Sequence, residues 1–441
     1  MFAQISDEPD WTKLKIMHAW GGSDRMGVYR EFAEKTGASY RDFSSASRLF
    51  GYNTAFSGAC DEAIASAPTT DLNLYDMILV DEAQDLPTSF FKIIYRMVKD
   101  PRRIVWAYDD LQNLTDVRLP SPKELFGLSN DGSPLVELEN KPDQPQEDIV
   151  LPRCYRNPPW TLVTAQGLGF GVHRNPMAQI FTDIPIWKRL GYLGMDGPIA
   201  FGQAVRIERD PSSVPSFFAQ HLSPKETIKA VGFDNTDEQY KAVAAEIKRL
   251  LEDEELEHSD FLIILPSVYT SKSEGARILR VLLAVGLQGH IPGVTTSRDS
   301  LFIEGSIAIT HIFRAKGNEA PVVFLVNADF CESNLAIKKK RNIAFTAITR
   351  SRAWTYICGV GAGMQQIKSE IDAISKDGYT LNLLYPTAEE AAVLAASNNE
   401  DGNEPDLFED FEEVREVLRK VKGKRLPKDI MDELASISGG A

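Results

Sequence analysis

The segment ILVDEAQD sets two acids, Asp81 and Glu82, directly behind a short apolar run, with a third, Asp85, soon after. If the run is a buried strand, both carboxylates are fixed at its carboxyl end, the edge at which open α/β sheets bind ligands. There the first can hold Mg2+, usually through water, and the second can orient or deprotonate an attacking water. The same letters would also describe a strand that runs into a turn and leaves its acids in solvent. The two readings part on whether the rest of the chain supplies positive groups for a phosphate.

The elements that would position these acids alternate along the chain. Up to about Gln146, LKIMHAW, DMILV and RRIVWAYD read as short strands and GVYREFAEKTG as a helix bounded by turns. A Gly-, Pro-, Asn- and Asp-rich stretch, LSNDGSPLVELENKPDQPQED, reads as a linker. Beyond it EQYKAVAAEIKRLLEDEEL and GARILRVLLAVG read as helices, and DFLIILP, SIAITHIF and APVVFLVNA as strands. This alternation predicts an α/β fold with parallel sheets flanked by helices. The expected domains are 1–147, 148–386 and an acidic, helical tail over 387–441. In that tail Phe408, Phe411, Val414, Leu418 and Val421 follow a helical spacing, and LPKDIMDELASI looks like a second helix. Such a tail could fold back onto its own domain or serve as a partner-binding arm.

Composition narrows the class. The 441 residues are 43% hydrophobic and 25% charged, values of an ordinary globular chain. No apolar run approaches the length of a membrane span, and the N-terminus has no signal-peptide pattern. Four scattered cysteines and six unclustered histidines argue against a disulfide framework or a Cys/His metal site, and point to a reducing, cytoplasmic setting. The net charge of −15 argues against a protein that coats nucleic acid nonspecifically. A local basic track remains open, since Lys338 to Arg352 is strongly basic while 386–418 is strongly acidic.

Taken in order, these segments resemble superfamily 1 DNA helicases of the UvrD/Rep type. LVDEAQD is similar to their motif II and VWAYDDLQNL to motif III, which implies that Gln112 senses the terminal phosphate. LPRCYRNP resembles motif IV, implying that Tyr155 stacks on adenine and that Arg156 reaches the γ-phosphate. ITHIFRAKGNEAPVVFL resembles motif V, with Gly317 at phosphate and Glu319 at ribose. NIAFTAITRSR resembles motif VI, making Arg350 the arginine finger. LKIMHAWGG is a weaker match to the stretch ahead of motif II. The resemblance runs from about Leu14 to Tyr356. It implies two RecA-like P-loop NTPase lobes, the first incomplete, that clamp ATP and Mg2+ between Asp81 and Glu82 of one lobe and two arginines of the other. Each arginine reads alternatively as a surface salt-bridge residue.

One part does not match. The acids should face a GxxxxGK[ST] loop whose backbone N–H groups cradle phosphates, and the chain has none. GGSDRMGVYR, EKTGAS and SKSEGAR each lack an essential residue. The expectation is a helicase without its Walker A segment, whose first sheet would expose apolar surface. The family's Trp-Arg-Gly after motif III is also missing, and the motif V histidine is replaced by Phe313, beside Arg314. Phe313 could stack on a base or equally be a core residue. The resemblance thus implies an ATP-dependent 3′→5′ helicase or translocase on single-stranded DNA. A partner or fragment would supply the loop, and His18, Trp20, His311, Phe313 and Arg314 would lie near the strand. The alternative is a catalytically inactive helicase-like module that binds nucleic acid or protein.

Overall fold

The computed structural model describes residues 9–22, 24–114, 120–129, 131–297, 300–333 and 336–400. Both helices expected beyond Asp401 lie outside these residues. The chain divides into two compact units, Met1–Ile149 and Val150–Ala441.

In the first unit, helix α1 (Val28–Thr36) begins after an extended Gly27 and stops at Gly37, whose φ of 74° only glycine adopts without cost. Helices α2 (Phe43–Phe50) and α3 (Ala55–Ser66) follow. Strand β1 (Ile78–Val80) then leads through a single turn into α4 (Thr88–Met97), and β2 (Ile104–Trp106) and the short α5 (Pro122–Phe126) complete the unit. The strands pair in parallel with Leu79 opposite Val105. Alternation sends Val80, Ile78, Ile104 and Trp106 to one face, against Tyr29, Phe32, Ala59, Cys60, Phe91 and Ile94 of the helices. The opposite face is bare: Leu79 is 70% and Val105 54% exposed. Parallel sheets are ordinarily covered on both faces, whereas here none of the described residues covers Leu79 and Val105.

The first expected strand is corrected here. LKIMHAW forms no strand, only an isolated bridge between His18 and Gly27. Ala19 and Trp20 pack on the helices but Ile16 is 80% exposed, and a strand without a neighbour cannot close its backbone hydrogen bonds.

The second unit is built on a parallel sheet of β5 (Ile228–Phe233), β6 (Phe261–Leu265), β7 (Gly289–His290), β8 (Ile307–His311), β9 (Ala320–Leu325) and β10 (Ser351–Val360). Among the described residues the spatial order is β5-β10-β9-β6-β8-β7. Helices α6 (Thr236–Asp253) and α7 (Ser271–Ala284) cover one face, where Ile263, Ile309, Phe324 and Tyr356 pack against Tyr240, Ile247 and Ile278. Asn235 caps α6 by accepting the Glu238 N–H at 3.0 Å, a contact worth about 1 kcal/mol. The alternate residues Leu262, Ile264, Val323, Leu325 and Ile357 are equally buried and face the other way. On that side helices α8 (Ile337–Ile348) and α9 (Gly361–Lys376) pack on the strands, backed by the Pro159–Phe170 helix. Each such side chain contributes roughly 1.5–3 kcal/mol by leaving water.

Under α8 the fully buried Arg341 pairs with Glu370 of α9 at 2.8 Å and also with Glu332. A small antiparallel sheet of β3 (Tyr192–Gly194), β4 (Ala204–Arg209) and β11 (Leu381–Leu384) is, among the described residues, a sheet that the alternating pattern does not announce.

Candidate functional site

The first cluster stands at the carboxyl ends of β1 and β2. Asp81 is exposed and its Oδ1 accepts the Glu82 N–H at 3.0 Å. Glu82 takes a left-handed backbone with φ 51° and ψ 45°, a conformation that costs a non-glycine residue about 1–2 kcal/mol. Gln84, 3% exposed, donates its Nε2 to a Glu82 carboxylate oxygen at 2.6 Å and accepts the Asp109 N–H at 3.2 Å. Asp109 in turn accepts from Gln112 Nε2 at 2.8 Å. One chain of hydrogen bonds therefore runs Glu82–Gln84–Asp109–Gln112 and ties the two strand ends together. Gln84 and Asp109 belong to the site, and the sequence reading passed over both. The polar letters behind each apolar run were the only signal for them.

Among the described residues no three His, Cys, Asp or Glu side chains gather to hold a metal. An exposed carboxylate at a strand end suits Mg2+, which keeps most of its waters and takes other oxygens from phosphates.

The second cluster lies at the amino ends of β9 and β10. Arg156 forms an ion pair with Glu319, each a little over one-third exposed, so the salt-bridge alternative describes this arginine as it stands. Arg350 differs: it is 1% exposed, lies in the turn between α8 and β10, and donates Nε to the Thr346 carbonyl at 3.1 Å. Its carbonyl accepts the Ala320 N–H at 3.0 Å, one residue past Glu319. Asn157, beside Arg156, donates Nδ2 to the carbonyls of Thr349 at 3.2 Å and Ser351 at 2.6 Å. Arg156, Glu319 and Arg350 come from three distant segments and are laced at one edge. Gly317 has φ 80°, and a Cβ placed there would meet nothing within 4 Å, so the backbone is open to a ligand. Tyr155 presents a 65% exposed ring with Arg153 over it, 5.9 Å from the centroid.

The residues expected near a nucleic acid fall into two groups. Phe313, 46% exposed, and Arg314, half-buried, lie on the single helical turn Ile312–Ala315 after β8, which leaves the Phe313 ring available to a ligand. His311 is largely withdrawn, and burial first, then the Arg314 charge, pushes its pKa down to about 4, so it is a neutral imidazole near pH 7. His18 is exposed. Trp20 is committed to packing: its ring stacks on Phe56 at 4.7 Å and its Nε1 donates to the Arg41 carbonyl at 2.9 Å.

Comparison with known proteins bears on the second unit. Residues 306–358 match the family described as the UvrD-like helicase C-terminal domain. The crystal structure of the C-terminal domain of a possible DNA helicase from Lactobacillus plantarum WCFS1 is similar at 17% identity and a TM-score of 0.26, over 35% of this chain and 86% of that one. No curated protein matches the chain. The segment holding Gly317, Glu319 and Arg350, from β8 through most of β10, is therefore similar to a UvrD-like helicase C-terminal domain.

Proposed function

We propose that the chain is the larger part of an ATP-driven motor that moves 3′→5′ on single-stranded DNA and works with a Walker A loop supplied from elsewhere. The observation that carries this reading is the lacing of Arg156, Glu319 and Arg350 at one sheet edge, inside and beside the stretch similar to a helicase C-terminal domain.

In this reading each unit carries groups suited to triphosphate chemistry. Tyr155 stacks on adenine, and Gly317 and Glu319 take phosphate and ribose, the latter on release from Arg156. Glu82, oriented through Gln84, positions the attacking water and receives its proton. Gln112, held by Asp109, contacts the terminal phosphate. Arg156 and Arg350 stabilise the charge that develops on it, a contribution that reaches several orders of magnitude for such arginines. Mg2+ at Asp81 would offset charge on the phosphate oxygens. Phe313 and Arg314 are the groups best presented to a strand, by stacking and by phosphate contact. The bare face of β1 and β2 supports a requirement for a further βα segment, since Leu79 and Val105 would be covered by it. The four free cysteines support a reducing, cytoplasmic setting.

The experiment combines the full chain with a fragment bearing GxxxxGK[ST] and its flanking strand and helix, and measures hydrolysis with and without single-stranded DNA. DNA-stimulated turnover is expected, lost by about a thousandfold in Arg350→Ala. DNA binding with no hydrolysis under any pairing would favour the inactive-module reading instead.

A further inference from the structure

We propose that Asn157 is the positioning residue for Arg350, and that it makes Arg156 and Arg350 move as one unit; this rests on the nucleotide-site reading above. Asn157 is 3% exposed and lies between Arg156 and the Pro158-Pro159 start of a buried helix. A carboxamide has two N–H protons. Nδ2 reaches two carbonyls, those of Thr349 at 3.2 Å and Ser351 at 2.6 Å, which flank a single residue. The Thr349 carbonyl belongs to the peptide that enters Arg350 and the Ser351 carbonyl to the second peptide beyond it, so the two bonds bracket Arg350 and restrict the direction in which its Cβ leaves the backbone. A third contact, Ala320 N–H to the Arg350 carbonyl at 3.0 Å, completes the hold.

The bland account is a helix C-cap. The last carbonyls of α8 lack partners inside the helix, and a side-chain amide can satisfy them. A cap, however, needs only the Thr349 carbonyl. The second bond goes to Ser351, already in β10, where it adds nothing to the helix but constrains the residue between. Because Asn157 follows Arg156 in the chain, a displacement of Arg156 on meeting a phosphate is transmitted to the backbone that carries Arg350. Two guanidinium groups 194 residues apart in sequence (156 to 350) are joined through one amide.

The test reads Arg350 directly. In the full chain labelled with 15N-arginine, the Arg350 Nε–H resonance is assigned by its loss in Arg350→Lys. Asn157→Asp removes both donors at constant size, and is expected to speed exchange of that Nε–H by about tenfold or more, as two lost hydrogen bonds imply. The Arg341 Nε–H, nine residues earlier on α8 in a guanidinium that Glu370 holds through Nη1 and Nη2, should stay unchanged. Asn157→Ser, which keeps one donor and adds no charge, should fall between. An unchanged Arg350 signal in both variants, or joint loss of the Arg341 and Arg350 signals in both, overturns the proposal in favour of a simple cap.

A second arm uses the chain with the Walker A-bearing fragment and compares Mg·ATP with Mg·ADP affinity. Asn157→Asp should weaken ATP binding about tenfold and ADP binding less than about twofold, with no further loss when combined with Arg350→Ala. If Arg350→Ala leaves the ATP/ADP ratio unaltered, the nucleotide reading fails while the resonance result still decides the role of Asn157.

Discussion

The two units handle the same kind of strand in opposite ways. Ile263 of β6 and Leu79 of β1 are both aliphatic residues in the interior of a parallel strand, yet the first is fully buried and the second 70% exposed. In the second unit helices lie on both faces of six strands, and the candidate site is closed by bonds from three segments. In the first, helices cover one face of two strands, and the site hangs on a short polar chain and a strained Glu82. A site can thus be pre-organised by its own unit or left to be completed. The second unit is of the former kind and the first of the latter.

The contrast can be broken by substitution. Ile263→Ala should destabilise the protein by about 2–5 kcal/mol in denaturant titration, because the cavity forms in a core that cannot collapse. A smaller effect, up to about 3 kcal/mol, concerns pH. His311 has a folded pKa of about 4 against an ordinary 6.5, so between those values the unfolded chain binds the extra proton. Its contribution is complete above pH 6.5 and lost as pH falls towards 4, and His311→Phe should flatten the stability curve in that window. In the first unit, Glu82→Gly should be more stable than Glu82→Ala by about 1 kcal/mol, since both lose the carboxylate and only alanine bears the left-handed backbone cost. Equal stabilities would remove strain from the account of that site. Smallest of all, Leu79→Ala should shift stability by no more than about 0.5 kcal/mol. The same change should weaken capture of the Walker A-bearing fragment. A loss of several kcal/mol at Leu79 would mean that its face is covered by the chain itself, and the comparison would fall.

Local signals read well where the chain itself closed the element. Gly27 and Gly37 bound α1, and the apolar runs of β6, β8 and β9 lie where the letters place them. LKIMHAW has the same letters as a strand and is none, because strand formation depends on a neighbour that spacing cannot supply. The antiparallel sheet went unforeseen for the converse reason: Leu381 pairs with Ile207 across a long separation, and three- to six-residue strands leave little pattern. At the site, Asp81, Glu82, Arg156 and Arg350 stood out by residue type. Gln84, Asp109 and Asn157 did not, since an amide or an acid becomes informative only when its partner is known.

What the residues determined alone is the kind of chemistry available: acids behind one apolar run, arginines behind others, and no phosphate-cradling loop among 441 residues. Helix ends and buried strands followed from short-range preferences, because capping and alternation act over a few residues. Only the tertiary structure decided which groups meet. Asn157 reaches carbonyls 192 and 194 positions away, Arg156 finds Glu319, and Leu79 is left uncovered. Such contacts arise when distant segments pack on a common sheet, and no local spacing encodes where two of them will cross.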